Sequence, residues 1–152
     1  MTKILMVCLG NICRSPLAQG ILEGKVEEKG IEAEVDSCGT SSWHVGEPPD
    51  ERMQQEATAH GINLSHMRAR QFTIDDFDDF DKIFVMDTSN YENVLALARD
   101  ENDRQKVDLM LNVSLPGSHK SVPDPYFGGG AGFQKVYELL DEACEKFAQS
   151  LV

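Results

Sequence analysis

The sequence predicts an α/β fold: a three-layer sandwich with a four-stranded parallel sheet, helices on both faces and a phosphate-binding loop after strand 1. Three observations carry this expectation. Short strand-like runs at residues 3–7, 31–37, 82–86 and 107–111 alternate with segments of helical periodicity. A helix between successive strands makes a crossover, which sets the strands parallel. A glycine-containing turn closes the first strand and leads straight into a helix, the arrangement that gathers anions at strand ends.

The first strand is a continuous apolar run, Ile4-Leu5-Met6-Val7. A helix is expected over 15–29, with Ser15 as N-cap, Pro16 at the first helical position and Gly30 as its stop. Leu17, Gly20, Ile21, Gly24 and Val26 give it an approximate inner stripe. Ile31, Ala33 and Val35 then alternate as a second strand. The segment 38–49 is turn-rich and holds the single tryptophan, Trp43. Pro49 or Asp50 opens a helix to His60, which Gly61 ends. Thr73 caps a short turn carrying Ile74, Phe77 and Phe80. Ile83 to Met86 form a buried strand, and Asp87, Thr88 or Ser89 caps a helix to about Ala98. Residues 107–111 are a weaker fourth strand, and the Pro- and Gly-rich stretch 115–132 reads as loop. Phe133, Val136, Leu139, Leu140, Ala143, Cys144 and Phe147 mark an amphipathic C-terminal helix. No repeat or linker interrupts the chain, so one domain over 1–152 is expected.

Fourteen basic residues against 26 acidic ones give a net charge of −12. Nucleic acid and anionic membranes share that sign, so neither is an expected partner. A small phosphate held at contact distance is not excluded, because exposed charges are screened over about 8 Å. No apolar run approaches the roughly 20 residues that span a bilayer. No secretory signal is visible, so a cytoplasmic location is expected. The four cysteines, Cys8, Cys13, Cys38 and Cys144, include no CxxC pair. A zinc ribbon or thioredoxin-like site is therefore poorly supported, and neither metal nor cofactor is expected.

The loop Cys8-Leu9-Gly10-Asn11-Ile12-Cys13-Arg14-Ser15 carries the chemistry. A phosphate monoester needs convergent donors and positive charge, which loop N–H groups, a helix N-terminus and Arg14 supply. Gly10 is expected to give the loop a conformation open to few residues. The same donors stabilise a thiolate at Cys8, a nucleophile that needs no separate base. A Walker-type loop requires Lys before Ser/Thr, where this sequence has Arg14 before Ser15. Expelling an alkoxide or phenoxide also requires an acid. Asp124, stiffened between Pro123 and Pro125, is the candidate, with Tyr126 and Phe127 as walls for a flat ring.

These residues resemble a known family. The stretch from Val7 to Pro16 is similar to the signature loop of the low-molecular-weight protein tyrosine phosphatases. Asp36-Ser37, Gly39-Thr40, Trp43-His44-Val45-Gly46-Glu47-Pro48-Pro49-Asp50, His60-Gly61-Ile62, His66, Met86-Asp87 and Asp124-Pro125-Tyr126 follow in the family's order. The resemblance implies hydrolysis of phosphotyrosine on proteins, with Cys8 as nucleophile, Arg14 as transition-state clamp and Asp124 as general acid. It implies that Ser15 bonds the thiolate, that Asn11, Ser37 and His66 brace the loop, and that Leu9, Ile12, Trp43, Tyr126 and Phe127 line the mouth. It makes Cys13 a partner for a reversible disulfide with Cys8 under oxidation, although simple packing explains Cys13 equally. Relatives acting on phosphoarginine carry threonine at the position of Ile12. Departures are Cys38 where alanine is frequent, Gln19 where glutamate is frequent, and Phe127 where many relatives have tyrosine.

Other residues have plainer readings. Cys38 and Cys144 are expected in the core, Arg68 and Arg70 in surface ion pairs, and His44, His60 and His119 in surface or capping roles. The acidic run from Asp75 to Asp81 lacks the spacing of a calcium loop and reads as a solvated face. Two alternatives to hydrolysis are a thioredoxin-coupled arsenate reductase and a non-catalytic phosphotyrosine-binding module. The first would need two further cysteines after the third strand, and residues 87–103 contain none. The second has no use for both Cys8 and Asp124. A monomer or weak dimer is expected.

Overall fold

The computed structural model describes residues 1–125 and 130–152, the side chains of residues 130 and 131 excepted. Its sheet has four parallel strands, β1 (Thr2–Cys8), β2 (Ala33–Gly39), β3 (Lys82–Val85) and β4 (Val107–Leu109), in the order β2-β1-β3-β4. The expected sandwich is present. Strand alternation divides β1 between two cores. Ile4, Met6 and Cys8 join one cluster with Leu17, Leu22 and Leu140; Leu5 and Val7 join the other with Phe72, Phe77 and Val94.

Helices α1 (Arg14–Glu28), α2 (Glu51–Ala59) and α6 (Gly130–Ser150) cover the first face. Helices α3 (Asp76–Asp79) and α4 (Thr88–Leu95) cover the second, and α5 (Glu101–Lys106) leads into β4. Because α1 lies between the sheet and α6, its first nine residues are buried all round. Gly24, expected on its inner stripe, is exposed. Leu17, Leu22 and Leu140 are fully buried, each worth about 1.5–3 kcal/mol of transfer free energy.

The boundaries depart from expectation where polar chemistry competes with pattern. Cys13, not Ser15, is the N-cap of α1, because the Ser15 hydroxyl is spent inside the first loop. Helix α5 has no counterpart among the expected elements, since ENDRQK has no apolar stripe. Asp100 caps it, and Arg99 bonds both Asp103 and Asp78. The run expected as strand over 107–111 leaves the sheet after Leu109 and turns into a 3-10 helix, Met110–Asn112. Helix α4 stops at Leu95, and α6 begins at Gly130, within the stretch expected as loop. The acidic run is not merely solvated: Asp76 is 4% exposed and accepts from Arg70 and from the Thr73 amide.

Strand ends position the site. The chain leaves β1 at Cys8, β2 at Gly39 and β3 at Val85, all at the carboxyl edge of the sheet. The Thr40 and Ser41 amides donate to the carbonyls of Cys8 and Leu9, so the first loop is tied to the exit from β2. Val122 N donates to Met86 O, which brings the segment before Asp124 to the exit from β3.

Candidate active site

A pocket opens above the first loop, lined by Cys8, Leu9, Gly10, Ile12, Cys13, Arg14, Trp43, His44 and Asp124. Cys8 is buried at its floor, and Trp43 stands 73% exposed at its mouth. Leu9, Ile12 and Trp43, expected at the mouth, are among the lining residues. Tyr126 and Phe127, expected as walls, lie outside the described residues.

The loop is held from outside. Asp50 N donates to Ile12 O at 2.7 Å, and Leu17 N reaches Cys13 O. Asn11 has φ 58°, a left-handed conformation that asparagine tolerates better than most side chains. The positive φ expected of Gly10 thus falls one residue later. Gly10 serves another end: a Cβ there would lie 2.9 Å from His44 Cδ2. His44, expected only at the surface, packs on the loop and lines the pocket, while its Nδ1 lies 2.9 Å from Glu47 Oε2.

Among the described residues, the sulfur of Cys8 has two hydrogen-bond partners, Asn11 N at 3.3 Å and Ser15 Oγ at 3.0 Å. The polarity of this network follows by elimination. Asn11 Nδ2 donates to Ser15 Oγ at 2.8 Å and to Ser37 Oγ at 3.0 Å. Ser37 passes its own proton to Gln19 Oε1 at 2.7 Å. Ser15 has one hydrogen left, for Cys8 at 3.0 Å or the Cys38 carbonyl at 3.3 Å. Whenever the sulfur is charged it takes that hydrogen, since charge-assisted hydrogen bonds are the stronger ones.

Hydrogen bonds thus tie Asn11 and Ser37 to the loop, while, among the described residues, His66 is not a partner in that network. It is exposed on the segment after α2, outside this hydrogen-bond network, and interacts electrostatically with Glu23. Gln19 takes the bracing position, because it lies one helical turn beyond Ser15 and faces the same network. That spacing was the available signal.

Arg14 is buried to 2% exposure and enters the pocket oriented. Nη1 donates to Asp87 Oδ2 at 2.8 Å and to Val122 O at 3.0 Å, while Nη2 lies 3.5 Å from Asp124 Oδ2. Burial opposes the guanidinium charge, but Cys8, Asp87 and Asp124 outweigh it and raise the Arg14 pKa. The sequence marks Asp87 as a candidate helix cap, and it does cap α4 through Asn90 N, but nothing local ties it to Arg14. Its position just past β3, where ligands of parallel sheets collect, is the clue to its place here.

The remaining thiols are quieter. Burial, then the Asp50 carboxylate, pushes the Cys13 thiol up, and burial likewise raises Cys38. Cys144 is pushed up to about 12 by burial. All four cysteines are free. Among the described residues, no group of three His, Cys, Asp or Glu side chains could hold a metal ion, and no helix is long and apolar enough to cross a membrane.

Fold and loop together define an α/β protein that gathers the Cys8 sulfur and the buried Arg14 guanidinium in one pocket at the ends of its strands. The chain belongs to the low molecular weight phosphotyrosine protein phosphatase family, whose profile matches residues 3–152. It is 43% identical over 152 residues to a Schizosaccharomyces pombe protein of that name, covering 98% of this chain and 96% of the relative. A protein tyrosine phosphatase from Entamoeba histolytica superposes with a TM-score of 0.93 at 36% identity, covering 99% of this chain and 97% of the other. A Drosophila arginine phosphatase superposes with a TM-score of 0.91, also at 36% identity, covering 98% and 97%. The chain is thus a member of a family of protein-tyrosine-phosphatase enzymes.

Proposed function

We propose that this chain hydrolyses phosphotyrosine on proteins, and small aryl phosphates, through a phosphocysteine intermediate. The observation that carries the reading is the convergence of Cys8, Arg14 and Asp124 on one pocket, with Ser15 Oγ 3.0 Å from the Cys8 sulfur.

The phosphate enters with its oxygens towards the loop N–H groups and Arg14. Because Nη1 is committed to Asp87 and Val122, the dianion meets Nε and Nη2 and takes the place of Asp124 at Nη2. The Cys8 sulfur attacks phosphorus, the P–O bond to the tyrosine breaks, and Asp124 gives the phenolic oxygen its proton. In the second step Asp124 takes a proton from water. That water attacks phosphorus, the S–P bond breaks and inorganic phosphate leaves. The Ser15 hydroxyl donates to the sulfur as its charge returns.

Tyrosine is favoured by the apolar collar. Ile12, Leu9 and Trp43 offer a flat apolar passage to a buried sulfur. The redox role of Cys13 is part of the same reading: its thiol lines the pocket beside Cys8.

The test is cleavage of an aryl phosphate in the presence of EDTA, wild type against Cys8→Ser. Turnover that survives EDTA and vanishes in the variant is expected. Activity retained by Cys8→Ser would sink the mechanism. Comparing phosphotyrosine with phosphoarginine peptides then checks the substrate, and a preference for the latter would overturn the assignment to tyrosine.

A further inference from the structure

The polarity of the Cys8 network depends on which way the Asn11 amide points, and the amide alone does not decide this. Both protons of Nδ2 are used, on Ser15 and Ser37, so Oδ1 must be held by a donor. That donor is the backbone N–H of Arg70, at 3.1 Å. A flipped amide would place two donors against each other there. Its oxygen would then face Ser15 Oγ, draw the hydroxyl proton and take it from Cys8.

Arg70 belongs to a segment without regular structure, so something must fix it. Its carbonyl accepts from Gly39 N at 2.8 Å, and Gly39 presses against Leu9, Gly10 and Asn11. Its guanidinium forks onto two elements: Nη2 to Asp36 on β2 at 3.0 Å, and Nη1 and Nη2 to Asp76 at the start of α3, both at 3.1 Å. Asp76 is 4% exposed and also accepts from Thr73 N at 2.9 Å. The same residue thus reads out a side-chain anchor on one side and an active-site amide on the other.

We infer that Arg70, clamped by Asp76 and Asp36, is a positioning residue that fixes the Asn11 amide and so delivers the Ser15 hydroxyl to the Cys8 sulfur. It touches neither the pocket nor a reacting atom. Its effect is confined to how well the sulfur is stabilised when it is charged. This inference rests on the phosphocysteine reading for its kinetic consequence, but its geometric half can be read without turnover.

The experiment measures the pH midpoint of Cys8 alkylation by iodoacetamide, followed at that residue by mass spectrometry, together with kcat and KM for an aryl phosphate. In Arg70→Met the midpoint should rise by about half a unit or more, since a hydrogen bond to the charged form is weakened. Losing a hydrogen bond to a charged group should lower kcat about tenfold while KM changes less than about threefold. Arg70→Lys, which keeps the charge without the fork, should recover part of both. The deciding measurement is the cycle with Asn11→Ala: adding Arg70→Met to that background should produce no further shift. An equal shift in the Asn11→Ala background, or a wild-type midpoint and kcat in Arg70→Met, overturns the inference. Should Arg70→Met fail to fold, Asp76→Asn is read by the same criteria. A wild-type enzyme without turnover would instead refute the proposed function and leave the alkylation arm to judge the clamp.

Discussion

Asp87 Oδ2 accepts from Arg14 Nη1 at 2.8 Å, and this contact aims the guanidinium before any anion arrives. Side-chain exposures of 3% and 22% put the pair where solvent screens it little. Asp87→Ala should lower kcat/KM for an aryl phosphate by about 100-fold, the cost expected of a misplaced clamp. Asp87→Asn keeps an acceptor and should lose less. Steady-state kinetics decide, and a wild-type value in the Ala variant would remove Asp87 from this role.

Asp124 should matter in proportion to how badly the leaving group needs a proton. For a poor leaving group Asp124→Asn should cost about 100-fold or more in kcat/KM, with a much smaller loss for an activated phenol. A series of aryl phosphates of graded phenol acidity measures this. A uniform loss across the series would mean that Asp124 positions rather than protonates.

Gly39 lies so close to the loop that a Cβ there would be 2.7 Å from Leu9 O and 3.1 Å from Asn11 N. Those atoms are backbone and cannot swing aside. Gly39→Ala should therefore destabilise by about 1–3 kcal/mol through overpacking, and activity should fall further than stability explains. Urea midpoints and kcat measured together check both halves.

Acid stability should depend on α5. Hydrogen bonds from Arg99 hold the Asp103 carboxyl below the usual carboxylate range. A folded value below the unfolded one, about 3.9, gives stability that is complete above that pH and lost as pH falls through the folded value. Asp103→Asn should flatten the loss of stability below about pH 4, seen as a smaller change in urea midpoint. An unchanged slope would assign the acid transition to other carboxylates.

Much of this architecture is legible in the residues. Ile4 to Val7 and Ile83 to Met86 are apolar on both faces because both faces are covered, and such runs are hard to mistake. Cys8, Arg14 and Ser15 are legible because their spacing across a strand-to-helix turn makes sense only around an anion. What escaped depends on partners distant in sequence. Asp87 and Arg14 are 73 positions apart, and no local pattern ties them. The resemblance points to His66 as a loop support and gives Gln19 no such part, although Gln19 accepts from Ser37 in the same network and lies four residues from Ser15 on the same helix. Helix α5 escaped because its stability comes from an Asp100 cap and the Arg99 fork rather than from a buried stripe. Met110 and Leu111 look like strand because burial is common to strands and to tight helical turns.

The division of β1 and β2 between two cores has a consequence for chemical damage. Cys38 packs with Leu5 and Val7 on one side of the sheet, whereas Cys8 and Cys13 belong to the other. Neighbouring strands thus carry thiols a short distance apart in register, yet the sheet itself separates them. An oxidant that reaches the pocket meets Cys8 and Cys13 but not Cys38. The sheet works as an insulating wall, and it limits which sulfurs can exchange electrons without any cysteine being removed.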